Sequence, residues 1–195
     1  MSTKRVSVII PTYNEEGVVG ACLESLSKQT YKQSLAGFAG KDLEIIVVDD
    51  GSELPVTSHW SPVTVLRQKH QGPGTARNLG AKEAKGEILV FVDADMTFDP
   101  DFIQKLIEPI LSGKTKGTFS KDEYVSNWDN VWARCWSINE GWEPKRRHPK
   151  GYPDKQKVFR AILKSEFERV GGFDVTRGYN DDWSLSEKLG YKADV

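Results

Sequence analysis

The sequence predicts a single α/β domain whose doubly wound, mainly parallel sheet is flanked by helices. Apolar runs of strand length at 6–10, 43–48 and 88–92 alternate with segments of helical periodicity, and each run is closed by proline or acidic residues. With 195 residues, 38% hydrophobic and 28% charged, the chain can bury one core of ordinary size.

The first run, 6–10, ends at Pro11 and suits a strand covered on both faces. Residues 15–28 read as a helix, with Val18, Val19, Cys22, Leu23 and Leu26 on one side and acids in the first turn. Residues 30–41, with two glycines and few long apolar side chains, read as a surface insertion. A second strand at 43–48 and a shorter third at 63–66 precede a helix at 75–84 and a fourth strand at 88–92. A helix at 101–111 carries Pro109, which marks a kink or an early end, and glycines at 113 and 117 break it. Trp128, Trp132 and Trp136 recur every four residues on a further helix, a spacing that favours core over a sugar platform. Residues 157–163 form a strand, Ser165 caps a short helix at 166–170 that Gly171 and Gly172 stop, and 181–189 is the last helix.

Lys and Arg (27) nearly cancel Asp and Glu (28), so no global field recruits nucleic acid. Cys22 and Cys135 lack any paired or ligand spacing and read as reduced, small hydrophobes. No apolar run approaches the roughly 20 residues of a membrane span, and the first strand follows Met1 too closely for a signal peptide. These features predict a cytoplasmic setting and leave peripheral contact with the cytoplasmic face of a membrane open.

Ligands of open α/β sheets bind beyond the carboxyl ends of the strands, and here those ends are acidic. The first strand leads into Pro11-Thr12-Tyr13-Asn14-Glu15, the second into Asp49-Asp50-Gly51-Ser52, the fourth into Asp93-Ala94-Asp95. Carboxylates brought together repel, so a cation or donor groups are expected among them. Asp93 and Asp95 suit one ribose contact and one divalent cation, magnesium or manganese, completed by water and phosphates; a solvated turn is the plainer alternative. Asp49 and Asp50 suit either a turn or a nucleobase N–H, with Tyr13 as a stacking face. Arg77, in the helix opened by Gly72-Pro73-Gly74, suits either a diphosphate or a surface salt bridge.

In order, residues 7–15, 49–52, Ala76-Arg77-Asn78 with Gly80, and 93–95 resemble the opening blocks of family 2 glycosyltransferases, and the resemblance runs from about Val6 to the end of the chain. It implies the GT-A fold, a Rossmann-like sheet, with residues 1–98 as the nucleotide-binding half and 99–195 as the acceptor-binding half. It further implies a nucleotide-diphosphate sugar donor, held by Pro11, Thr12, Tyr13, Glu15, Asp49, Asp50, Arg77, Asp93, Ala94, Asp95 and Asp181. Asp93 falls mainly to the ribose and Asp95 to the metal. Gly171-Gly172-Phe173-Asp174 and Asp181-Asp182-Trp183-Ser184-Leu185 are similar to the family's acceptor-side segment, in which Asp181 stands where glutamate is usual. By that resemblance Asp182 is the catalytic base of an inverting transfer to a glycan, lipid or other hydroxyl; helix capping is the alternative for both acids.

The chain lacks the Gln-x-x-Arg-Trp segment of processive synthases and a late histidine for the metal, since His59, His70 and His148 do not match that place. Either the chain is part of a longer protein or water and diphosphate complete the coordination. The basic stretch 145–150 reads as a solvated loop or as a contact for an anionic acceptor or lipid headgroups. Two rivals are a non-catalytic nucleotide-sugar binding module and a nucleotidyltransferase. The second usually carries a glycine-rich basic loop after its first strand, where this chain has 11–16.

Overall fold

In a computed structural model, the described residues are 4–31, 43–56, 62–149 and 151–195. The expected insertion at 30–41 lies largely outside them. Strands β1 (Val6–Thr12), β2 (Leu43–Asp49), β3 (Val63–Arg67) and β4 (Ile88–Phe91) alternate with helices α1 (Val19–Ser27) and α2 (Pro73–Glu83). Then follow α3 (Phe102–Leu111), β5 (Gly117–Thr118), α4 (Val131–Asn139), β6 (Lys155–Gln156), β7 (Ala161–Leu163), α5 (Lys164–Arg169), a 3-10 helix (Val175–Asn180), α6 (Asp181–Leu189) and β8 (Ala193–Asp194).

All eight strands join one sheet in the order β3-β2-β1-β4-β7-β5-β8-β6. The β3-β2-β1-β4 half is parallel, as the alternation of strand and helix predicts. Beyond β4 the sheet is mixed, because β7 runs antiparallel to both β4 and β5. That reversal places the start of β7, and the ends of β4 and β5, on the same edge as the carboxyl ends of β1, β2 and β3.

Side chains of β1 alternate between two cores. Val6, Val8 and Ile10 pack with Cys22, Leu23, Leu26, Ile103 and Ile107 beneath α1 and α3. Ile9 faces Ala76, Ala81, Phe167 and Leu185 beneath α2, α5 and α6. Each such fully buried aliphatic side chain contributes about 1.5–3 kcal/mol against exposure, which holds helices on both faces and leaves the strand ends free to carry chemistry.

Several elements differ from the sequence expectation. Helix α1 starts at Val19, because residues 15–18 form a turn closed by the Val18 and Val19 N–H groups on the Glu15 carbonyl. Pro109 does not end α3; the buried face of Ile103, Leu106, Ile107 and Ile110 carries it to Leu111. Of the expected strand 157–163 only 161–163 forms, as β7, with the separate β6 lying before it at 155–156, and α5 begins at Lys164 without a side-chain cap from Ser165. Helix α4 starts only at Val131, where the Asn130 side chain accepts from the Trp132 and Ala133 N–H groups. Trp128 therefore precedes the helix, and Trp132 is 80% exposed, so the expected tryptophan core does not form there; the Trp136 side chain lies outside the described residues. Cys22 is buried and Cys135 partly exposed, both free. Among the described residues no helix is long and apolar enough to cross a membrane.

Candidate active site

A cleft of about 1660 Å³ opens along the edge where the strands end, large enough for two ligands of metabolite size. Pro11, Thr12, Tyr13 and Glu15 line it after β1, Asp50 after β2, His70 after β3, and Asp93, Ala94 and Asp95 after β4. Arg77 from α2 and Arg160, immediately before β7, complete its floor.

Asp50 anchors the loop after β3. One carboxylate oxygen accepts from Gln68 Nε2 at 2.6 Å and the Gln71 N–H at 2.9 Å. The other accepts from the Gly72 N–H at 2.8 Å and lies 2.9 Å from His70 Nδ1. These four partners fall on the four lone-pair sites of the carboxylate, so a nucleobase N–H at Asp50 would have to share or displace one of them. Asp49 is 1% exposed and does not line the cleft; it accepts from the Ser52 N–H and pairs with Arg67 at 3.4 Å. Both acids build the turn at Gly51, whose φ of 87° and approach to the His70 nitrogen suit only glycine. Through this turn His70 is stacked on Tyr13, ring centroids 3.9 Å apart. His70 is a site residue that sequence reasoning missed, although its place after β3 signals it.

The block at 76–80 has one task per residue. Ala76 is fully buried against the sheet, and a Cβ at Gly80 would strike Ile9. Asn78 donates to the Phe173 carbonyl at 3.0 Å and accepts its N–H at 2.9 Å, fastening the 171–174 segment to α2. Arg77 is 7% exposed and donates to Asp93 at 3.0 Å and to Asp182 at 2.5 Å, with Asp181 3.6 Å away. It is thus a buried hub rather than a surface salt bridge. The start of α6 is pressed against the start of α2, since a Cβ at Gly74 would run into the Asp181 carboxylate. Asp181 is buried, and Asp182 stands one ion pair behind the cleft wall that Arg77 forms.

The chain of charges continues from β4 toward β7. Arg160 donates to the second Asp93 oxygen at 3.2 Å and to Glu123 at 3.1 Å, and His148 Nε2 lies 3.7 Å from Glu123. Burial pushes the Asp93 carboxyl up, but the Arg160 and Arg77 charges outweigh it and hold it below the ordinary range. Neither Arg160 nor Glu123 stands in a recognisable motif; only the antiparallel β7 brings Arg160 to this edge. With both oxygens engaged by guanidinium groups, Asp93 does not have the open setting expected of a metal ligand.

Asp95 does. It is exposed in the cleft, and among the described residues no hydrogen bond or ion pair engages it. Burial raises the neighbouring Glu15, and the charges of Asp95 and Asp93 add to the shift. Among the described residues no three His, Cys, Asp or Glu side chains are grouped as a ready metal cage. One or two carboxylates completed by substrate phosphates is the arrangement magnesium and manganese accept, so Asp95, with Glu15 beside it, fits such an ion.

The basic stretch is less free than its composition suggests. Arg146 pairs with Asp122 at 3.2 Å and lies over the Tyr124 ring, and His148 stacks on Tyr152 at 4.4 Å. Lys145 and Arg147 remain exposed, and Lys150 lies outside the described residues.

The mixed α/β sheet with its acid-lined cleft is the GT-A fold. The Glycosyl transferase family 2 model matches residues 7–171, and the chain belongs to that family. It is 30% identical over 201 residues to an uncharacterized glycosyltransferase of Haemophilus influenzae, covering 94% of this chain and 61% of that protein. It is 37% identical over 134 residues to a dolichol-phosphate mannosyltransferase of Pyrococcus furiosus, covering 64% of this chain and 36% of the relative. Among solved structures, Staphylococcus aureus TarS 1-349 with UDP superposes with a TM-score of 0.71 at 20% identity, over 95% of this chain and 54% of that one. The Pyrobaculum calidifontis mannosyltransferase PcManGT with GDP-Man and Mn2+ gives a TM-score of 0.67 at 23% identity, over 100% and 55%. The chain therefore spans 61% or less of each of these proteins.

Proposed function

We propose that this chain is the donor-binding and catalytic domain of an inverting glycosyltransferase that passes a sugar from a nucleotide-diphosphate donor to an acceptor hydroxyl, with a divalent cation. The carrying observation is Arg77: it joins Asp93, beside Asp95 in the cleft, to Asp182 from the other end of the sequence. The UDP and GDP-Man bound in the structural neighbours, and the Mn2+ of one, support the donor class and the ion.

Tyr13 and His70 offer the nucleoside stacking surface at the β1 and β3 end, and the diphosphate lies toward Asp95 and Arg77. A cation at Asp95, with Glu15 beside it, would offset charge on the departing diphosphate. Arg77 holds Asp182 as long as no stronger anion competes. A diphosphate draws the guanidinium toward itself, which leaves the Asp182 carboxylate free to accept a proton. The acceptor O–H then gives its proton to Asp182, its oxygen bonds to the anomeric carbon, and the electron pair of the breaking C–O bond leaves with the diphosphate. A single displacement inverts the centre. A cytoplasmic setting belongs to the same proposal.

Replacing the base tests this directly. Asp182→Asn is expected to bind nucleoside diphosphate with manganese as the parent does, while transfer falls by about 10²–10⁴-fold. Transfer at the parent rate would exclude Asp182 as the base.

A further inference from the structure

We propose that the acceptor is a saccharide chain, and that Trp132, which lines the cleft as Tyr124 does, is the platform on which its sugar rings lie. This rests on the donor reading above. The sheet order fixes the polarity of the cleft: His70, Asp50 and Tyr13 stand at the ends of β3, β2 and β1, Asp93 and Asp95 at the end of β4, and Arg160 beyond them at β7. The segment after β5, including Glu123, Tyr124 and Asn127, continues the cleft on the side away from the nucleoside, and Trp132 lines it there. An acceptor hydroxyl approaching the acid cluster opposite the diphosphate comes from that side.

The chemistry of this arm favours a neutral, ring-shaped occupant. Trp132 is 80% exposed, and Tyr124 is 62% exposed with the Arg146 guanidinium over one face of its ring. A large flat aromatic left exposed at such a place, as Trp132 is, offers apolar area at little conformational cost to the ligand that covers it. Of the cations near this arm, Lys105 pairs with Asp101, Lys121 with Asp154 and Arg146 with Asp122, while Arg147 lines the cleft exposed. Hydroxyl and amide groups on Ser126 and Asn127 suit sugar hydroxyls. An exposed indole matches the C–H face of a pyranose better than a charged headgroup, and Arg147 is the group through which a phosphate would compete, which the vesicle arm of the test reads.

The test is calorimetry on the whole chain loaded with manganese and UDP or GDP, titrated with cellotetraose, chitotetraose and mannotetraose, alongside vesicles of phosphatidylcholine carrying a polyprenyl phosphate. The parent is expected to bind at least one tetrasaccharide. Trp132→Ala is expected to weaken that binding about tenfold, Trp132→Phe to restore most of it, and nucleotide affinity to be the same in all three proteins. Tetrasaccharide binding unchanged in Trp132→Ala would overturn the inference. So would a parent that takes up nucleotide and the polyprenyl phosphate vesicles but no tetrasaccharide, and in that case the donor reading survives. A parent that binds neither nucleotide brings down the donor reading and this inference with it.

Discussion

Asp181 is buried beside Asp182 with Arg77 as its neighbouring positive charge. Burial and then the Asp182 charge raise its pKa, and Arg77 offsets only part of that. A carboxyl whose pKa is higher in the folded chain favours folding most at low pH, where it is protonated in both states. That contribution is lost as pH climbs from the ordinary aspartate range through the raised folded value. Asp181→Asn is therefore expected to match the parent in thermal stability at low pH and to gain on it as pH rises toward neutrality. Melting curves across that range check this, and a constant offset would contradict it. Asp93, Asp95, Asp182 and Arg77 were legible as chemistry because each stands just after a strand or at a helix start. Arg160 was not, because an antiparallel strand distant in sequence brings it to the site; His70 carried the same signal, its place after β3, but its stacking on Tyr13 is a contact that no motif announces.

At the scale of elements, the loop after β3 owes its shape to β2. Asp50 gathers Gln68, His70, Gln71 and Gly72, and so sets both the histidine against Tyr13 and the first turn of α2, from which Arg77 projects. Asp50→Ala leaves those donors without their acceptor, a cost of about 1–3 kcal/mol for each buried group left unpaired. Its expected result is nucleoside diphosphate affinity reduced about tenfold or more, measured by calorimetry; an affinity equal to the parent's would show that the loop holds without it. Strands β1, β2 and β4 were legible because a strand buried on both faces needs an unbroken apolar run. Strands β5, β6 and β8 span two residues each, and nothing local distinguishes them. They exist through pairing with β7 and with one another, which no window of sequence contains. The late start of α1 has a local cause, the turn closed on the Glu15 carbonyl, that helical periodicity alone does not reveal.

Over the whole molecule, a parallel half-sheet carries the residues proposed for the nucleoside, and a mixed half carries those proposed for the acceptor. The change of direction at β7 is where the two halves share charge, through Arg77, Asp93 and Arg160. The parallel half was legible from alternating strands and helices, and the mixed half only as a weakening of that alternation. The arrangement leaves Asp95, next to that junction in sequence, exposed in the cleft without a protein partner among the described residues. The central claim, that this junction holds a divalent ion and the diphosphate of an activated sugar, is tested most directly by titrating UDP and GDP into the chain with and without manganese, and into Asp95→Asn. The account predicts that at least one nucleotide binds, that manganese strengthens it, and that Asp95→Asn abolishes the manganese effect. Binding indifferent to both the ion and Asp95 would contradict it.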